Sequence, residues 1–161
     1  MRQFLLIVLT WALAGCGFHL RGTADLPFET VYVPNATSGI ALDLSRNLRA
    51  GSNVKLVNDA KQAEAILEFS GETRAKEILS LTGAGRVREF RLRYRVGFRV
   101  HDGKGHDYLP QSTLELTREV TYNDADVLAK ESEEQLLYRD MQGDMVQQIM
   151  RRLSSAQKPK V

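Results

Sequence analysis

The chain is short of cysteine, of long apolar runs and of net charge, and each shortage excludes something. One cysteine, Cys16, stands among 161 residues. No disulfide can form within the chain, so its fold must rest on a packed core. The longest apolar stretch, Phe4 to Leu13 interrupted by Thr10, falls well short of the ~20 residues that a membrane-spanning helix needs. Lys and Arg number 22 against 20 Asp and Glu, which leaves no global excess of charge to attract nucleic acid. There is no internal repeat, no low-complexity segment and no phosphate-cradling glycine loop. No serine, histidine and carboxylate arrangement suggests nucleophilic catalysis, and no cofactor is implied.

What is present begins at the first residues, MRQFLLIVLTWALAGC. A positive Arg2, an apolar stretch and the small pair Ala14-Gly15 before Cys16 follow the order of an export signal. The run Leu13-Ala14-Gly15-Cys16 resembles the lipobox of bacterial lipoproteins. That resemblance implies cleavage after Gly15 and acylation of Cys16, so that the rest of the protein acts beside a membrane and outside the cytoplasm. Each buried methylene of an acyl chain contributes ~0.8 kcal/mol, and one chain alone anchors only marginally, whereas the three chains of a mature lipoprotein hold firmly. An ordinary secretory signal with an incidental cysteine is the alternative. Gly17, rather than aspartate, follows the cysteine, which by resemblance points to the outer membrane. Loss of the leader also removes Arg2, lowering the formal charge from +2 to +1.

The mature chain divides into residues 16–29, a lipidated tether; residues 30–153, one domain; and residues 154–161, a small polar tail expected to be disordered. Thr30 to Val33 is a short β-branched run stopped by Pro34-Asn35. Ser38 offers an N-cap to a helix over about 39–50, with Ile40, Ala41, Leu44 and Leu48 on one face and Gly51 at its end. Val54 to Val57 is at most a short extended piece. Three longer runs then alternate with period two. In Ala63 to Thr73 the apolar positions are odd. In Glu89 to Val100, Phe90, Leu92, Tyr94, Val96, Phe98 and Val100 oppose Arg91, Arg93, Arg95 and Arg99. In Thr113 to Tyr122, Leu114, Leu116, Val120 and Tyr122 oppose Glu115 and Glu119. Such alternation means antiparallel strands covered on one side. Turns are marked by Thr82-Gly83-Ala84-Gly85 and by His101-Asp102-Gly103-Lys104-Gly105. Asn123-Asp124 caps a long helix over about 125–153 with a core stripe of Leu137, Met141, Met145, Ile149 and Leu153. The expected class is α+β: a two-layer sandwich of a mostly antiparallel four-stranded sheet with two helices packed on one face.

Two charged constellations stand out. The arginine stripe Arg91, Arg93, Arg95, Arg99 could grip phosphates bidentately. It could equally be neutralised by Glu64, Glu68, Glu72, Glu115 and Glu119 on the same sheet face, since each opposite-charge cross-strand pair contributes ~0.2–1 kcal/mol. Arg86 and Arg88 follow a glycine-rich turn with Glu89 as their only acidic neighbour. In an antiparallel order the strand ends near Ser80, Arg88 and Tyr122 coincide, which brings Arg86, Arg88 and Lys130 to one edge; a solvated loop is the alternative there. His101 and His106 flank the second turn with Asp102 and Asp107 but fit no familiar metal site.

The run Gly15-Cys16-Gly17-Phe18-His19-Leu20-Arg21-Gly22 resembles the mature start of the lipopolysaccharide-assembly lipoproteins. Tyr94-Arg95-Val96 with its flanking strand and the segment Arg118 to Glu134, REVTYNDADVLAKESEE, extend the similarity over nearly the whole chain. The resemblance implies a non-catalytic outer-membrane subunit that plugs, and assists the assembly of, a large β-barrel translocon protein and helps deliver lipopolysaccharide to the outer leaflet. It also implies that Arg86, Arg88 and Lys130, the last within a matching Leu-Ala-Lys motif, contact lipopolysaccharide. Two other functions remain open on residues alone. One is an independent periplasmic-face lipid- or glycolipid-binding lipoprotein, which would need an apolar cavity. The other is a lipid-anchored cell-wall enzyme, which would need paired carboxylates or an activated nucleophile.

Overall fold

The computed structural model describes residues 24–123 and 127–159. The leader, Cys16 and most of the tether lie outside the described residues, as does Asp124 at the entry to the last helix. Within them the elements are β1 (Thr30–Tyr32), α1 (Gly39–Gly51), β2 (Lys55–Leu56), β3 (Ala65–Leu81), β4 (Val87–His101), β5 (Asp107–Thr121) and α2 (Val127–Ser154). A 3₁₀ turn, Ala60–Gln62, precedes β3 and is capped by the Asp59 carboxylate, which accepts the Lys61 N–H.

The strands form one sheet in the order β2-β1-β3-β4-β5. The pairs β3–β4 and β4–β5 are antiparallel, whereas β1 runs parallel to both β2 and β3. The expectation of four mostly antiparallel strands is corrected to five strands in a mixed sheet. The fifth strand is the two-residue β2, taken from the Val54–Val57 segment, which is too short to display a period. Its direction follows from α1, because a helical crossover returns the chain parallel to the strand it left. At α1 Ser38 has the extended backbone of an N-cap, but its side chain makes no capping bond.

Both helices cover the face that carries Leu92, Tyr94, Val96, Phe98 and Val100, each fully buried. Against them pack Ile40, Leu44 and Leu48 of α1 and Met141, Met145, Ile149 and Leu153 of α2 in one continuous core. Each such side chain contributes ~1.5–3 kcal/mol on burial. Leu26 and Phe28 join this core, so the domain takes in part of the segment expected to be tether.

A bulge in β3 decides which residues face which layer. Phe69 pairs with Phe98 and Gly71 with Gly97, so Ser70 is an extra residue in β3. Because side chains alternate, one inserted residue exchanges the faces of everything after it. Glu72, expected on the arginine face, instead pairs with Val96 and lies on the helix side. There its carboxylate accepts the hydroxyl of buried Tyr94 at 2.8 Å. Arg74 and Lys76 are carried to the same side. Arg74 donates to Gln142 of α2 at 2.7 Å, and Gln142 in turn donates to Asp43 of α1 at 2.6 Å. Lys76 bonds Glu134 at 2.6 Å. On the other flank of α2, Arg118 of β5 meets Asp144 at 2.6 Å. The long helix is thus laid over β4 and clamped from both neighbouring strands.

The bulge depends on Gly97. An added Cβ there would stand 2.4 Å from the Ser70 hydroxyl, which Gln111 of β5 holds across the strand. Replacing Gly97 with valine should destabilise the fold by about 1–3 kcal/mol in chemical denaturation. The same replacement in a Ser70→Ala background should cost less, because the Ser70 Cβ lies 3.7 Å away, at ordinary contact. Equal losses in both backgrounds would show that the bulge does not depend on this close approach.

Candidate functional site: a neutral sheet face and a basic tip

The uncovered sheet face is built on the odd positions of β4. Arg91 lies 3.3 Å from Glu119, Arg93 lies 3.1 Å from Glu77 and 3.5 Å from Glu115, Arg95 lies 2.6 Å from Glu115, and Arg99 lies 2.8 Å from Glu68. Four guanidiniums therefore meet four carboxylates, and the stripe is neutralised within the sheet. Glu77 replaces Glu72 in this set as a direct result of the bulge. The hydrogen bond from Arg99 holds the Glu68 carboxyl below its ordinary value, and the one from Arg95 does the same for Glu115.

The far end of β3 and β4 forms a tip. In the turn, the Gly85 N–H donates to the Thr82 carbonyl at 2.9 Å with Gly85 at φ +77°, a left-handed conformation that favours glycine. The Thr82 N–H bonds the Arg86 carbonyl at 2.7 Å, and the Thr82 hydroxyl accepts the Arg86 N–H at 3.2 Å. The Tyr122 N–H donates to the Arg88 carbonyl at 2.8 Å. The end of β5 therefore coincides with the start of β4, and α2 begins six residues after Thr121. The structure thus brings the strand ends that bear Arg86 and Arg88 to the end of the sheet where the helix bearing Lys130 starts.

The three cations differ in their surroundings. Arg86 sits exposed in the turn. Arg88 is exposed and lies 3.3 Å from Glu89, whose carboxyl is held below its ordinary value chiefly by the Ser80 hydroxyl and then by Arg88. Lys130 is less exposed, at 22% of its side chain, and bonds Glu133 at 2.8 Å. Its position is secured one turn along α2, where Lys76 bridges the sheet to Glu134. The Lys76 ammonium also lies 4.3 Å from the centre of the Phe90 ring, and Phe90 meets Tyr122 edge to face at 5.2 Å. Contacts of this cation–aromatic kind are worth ~0.5–2 kcal/mol.

The same end displays apolar side chains that the alternation pattern did not mark as exposed. Ile78 and Leu81 of β3 are more than half exposed, and Leu128 in the first turn of α2 is 80% exposed. Ile78 and Leu81 fall beyond the Ala63 to Thr73 run that the alternation marked, so the sequence assigned them no face. At the opposite end of the sheet, His106 Nδ1 donates to the Asp102 carboxylate at 2.8 Å, and the Gly103 N–H donates to His101 Nδ1 at 3.0 Å. Both histidines are engaged in shaping the turn. No helix among the described residues is long and apolar enough to cross a membrane.

Because Glu68 and Glu115 have depressed folded-state values, their ion pairs stabilise the fold above the ordinary glutamate value of 4.5. That contribution is lost as pH falls through the depressed values. A carboxyl NMR titration should find both groups more than half ionised at pH 4.5, with Glu68→Gln and Glu115→Gln each flattening the acid side of the stability profile. Ordinary titration of both would mean that the pairs are absent in solution.

Comparison with known proteins gives the chain its relatives. Residues 28–153 match the family model LptE, described as lipopolysaccharide-assembly. The LPS-assembly lipoprotein LptE of Yersinia pestis is 32% identical over 144 residues, covering 87% of this chain and 69% of that protein. The solution structure of lipoprotein B from Nitrosomonas europaea is 45% identical with a TM-score of 0.74, covering 86% of this chain and 91% of that one. The crystal structure of rare lipoprotein B from Shewanella oneidensis is 25% identical with a TM-score of 0.67, covering 78% and 92%. A match over most of the chain in sequence and in fold places this protein in the LptE family of outer-membrane lipoproteins, which serve lipopolysaccharide assembly and are not enzymes.

Proposed function

We propose that the protein is a lipid-anchored subunit of the outer-membrane lipopolysaccharide translocon. In this reading the leader, residues 1–15, is removed and Cys16 is acylated. The tether runs from Cys16 towards Ala24, and the domain sits in the lumen of a large β-barrel partner, whose assembly it assists. Its basic tip meets the phosphates and acidic sugars of lipopolysaccharide through Arg86, Arg88 and Lys130. Ile78, Leu81 and Leu128 offer apolar contact beside them, as an amphipathic anionic ligand requires.

The observation that carries this reading is the separation of the two ends. The Ala24 N–H bonds the Gly51 carbonyl at 2.7 Å, and Ala24 shares a groove with Arg151 and Ser154 at the end of α2. The tip lies where α2 begins. Twenty-eight helical residues span about 42 Å, more than the ~25 Å apolar band of an outer-membrane barrel. With its tether at the periplasmic side, the domain is long enough to carry its tip to the outer leaflet. The neutral sheet face suits a polar lumen, because paired charges need less compensation there than four isolated arginines would.

Affinity purification of the lipoprotein from detergent-solubilised outer membrane should recover a large β-barrel protein in equimolar amount. Recovery of the lipoprotein alone would remove the plug and favour an independent glycolipid-binding lipoprotein. At the tip, the double reversal Arg86→Glu with Lys130→Glu should weaken lipopolysaccharide binding about tenfold or more, since two charge-assisted contacts are lost and two repulsions added. Unchanged binding would relocate the ligand site.

A further inference from the structure

The concavity between the second half of α1 and the β1–β2 edge of the sheet is a different place, remote from the tip. It encloses about 500 Å³. Arg46 and Arg49 line it, three residues apart on one side of the helix, together with Tyr32, Asn35, Thr37 and Asn58. No acidic residue lines it. Arg46 reaches Asp43 only at 3.6 Å and is 69% exposed. Arg49 makes no ion pair among the described residues. This differs from the sheet face, where every arginine of the stripe has a carboxylate.

The opposite wall is shaped for polar contact. Asn35 adopts φ +53°, a conformation uncommon outside glycine, and its carbonyl accepts the Thr37 N–H at 2.8 Å. The loop after β1 is thereby folded back so that Asn35 and Thr37 border the space. Arg49 in the last turn of α1 also complements the helix dipole. That accounts for one positive charge there, but it requires neither a second arginine nor a hollow bordered by hydrogen-bonding groups.

We propose that this concavity binds the phosphate of an anionic phospholipid headgroup. Guanidinium forks bind phosphate oxygens bidentately, and Asn58 and Thr37 supply the neutral donors. The lipid source follows from the chain's path and rests on acylation of Cys16 as proposed above. Arg49 stands two residues before Gly51, to which Ala24 is bonded. The eight residues from Cys16 to Ala24 reach at most ~28 Å when extended. The site is therefore held close to the leaflet that carries the anchor, with the lipopolysaccharide-contacting tip at the other end of the domain.

The test is calorimetric titration of the full-length lipoprotein in neutral maltoside detergent with three probes: short-chain phosphatidylglycerol, short-chain phosphatidylcholine and inorganic phosphate. Phosphatidylglycerol should bind saturably. Arg46→Gln with Arg49→Gln should weaken it about tenfold or more, and the lysine pair should weaken it less. Asn58→Asp, which places a negative charge at the opposite wall, should weaken it in a chain whose arginines are intact; this covers failure of the double variant to fold. Phosphatidylcholine, with its cationic group, should bind far more weakly. The tip reversal Arg86→Glu with Lys130→Glu should leave the titration unchanged. Absent phosphatidylglycerol binding, or binding indifferent to Arg46 and Arg49, overturns the site. Inorganic phosphate binding as tightly as phosphatidylglycerol overturns the lipid assignment. Neither outcome depends on a barrel partner, so failure here and failure of the translocon reading are separable.

Discussion

Ser70, the extra residue of β3 at its first register shift against β4, sets where the charges from Glu72 to Glu77 fall. Before it, odd positions face the core and Glu68 meets Arg99 on the open side. After it, Glu72, Arg74 and Lys76 lie under α2, and Glu77 joins the arginines outside. Without the exchange, the Tyr94 hydroxyl would lose its carboxylate. A buried hydroxyl left without a partner costs ~1–3 kcal/mol. Arg74 and Lys76 would likewise lose Gln142 and Glu134, and with them the clamp on α2 from β3. Gly97 is glycine because the bulged serine crosses directly over it.

This arrangement also determines what an approaching charged molecule meets. Opposite charges about 3 Å apart largely cancel beyond the screening distance of ~8 Å at physiological salt, so the open face presents hydrogen-bonding groups but little net field. The tip is different. Its cations stand at a turn beside exposed apolar side chains, the combination on which the proposed lipopolysaccharide contact rests. Glu89 and Glu133 temper the tip without occupying every donor, since a guanidinium carries five N–H groups and an ammonium three. The surface is thus divided into a charge-paired face and an end where cations stand beside exposed apolar side chains.

Much of this was legible in the sequence because period-two alternation survives wherever one face is buried and the other wet. The strand from Phe90 to Val100, the stripe Met141, Met145, Ile149, Leu153 and the coincidence of strand ends at Arg88 and Tyr122 could all be read from spacing. What escaped was short or out of phase. Two residues, Lys55 and Leu56, cannot show a period, so the parallel edge and the mixed character of the sheet were invisible. The bulge hid the second half of β3, because Ile66 already disturbed the alternation and Ser70 then reversed it. Leu26 and Phe28, separated by Pro27, looked like linker although both are buried. The Arg46 and Arg49 concavity is assembled from α1, the β1–α1 loop and the segment around β2, and three short pieces carry no common motif.

The sheet's edges bear on how such a domain can meet a partner. Beyond Ile66, β3 has lost β1 and its outer edge is open; β5 is open along its whole length. Long unpaired edges invite strand addition. Here the Ala75 carbonyl on the β3 edge accepts the Tyr138 hydroxyl of α2 at 2.8 Å, and Arg74 and Lys76 are drawn across to the helix. On β5, Pro110 stands at an irregular stretch of the pairing with β4, where its missing N–H interrupts any added ladder. Glu115, Arg118 and Glu119 put charge along the rest of that strand. A closed barrel likewise has no free edge to offer. In the proposed translocon, contact with such a barrel would therefore run through side chains on faces and tips, which is the part of this surface that the Ser70 bulge distributes.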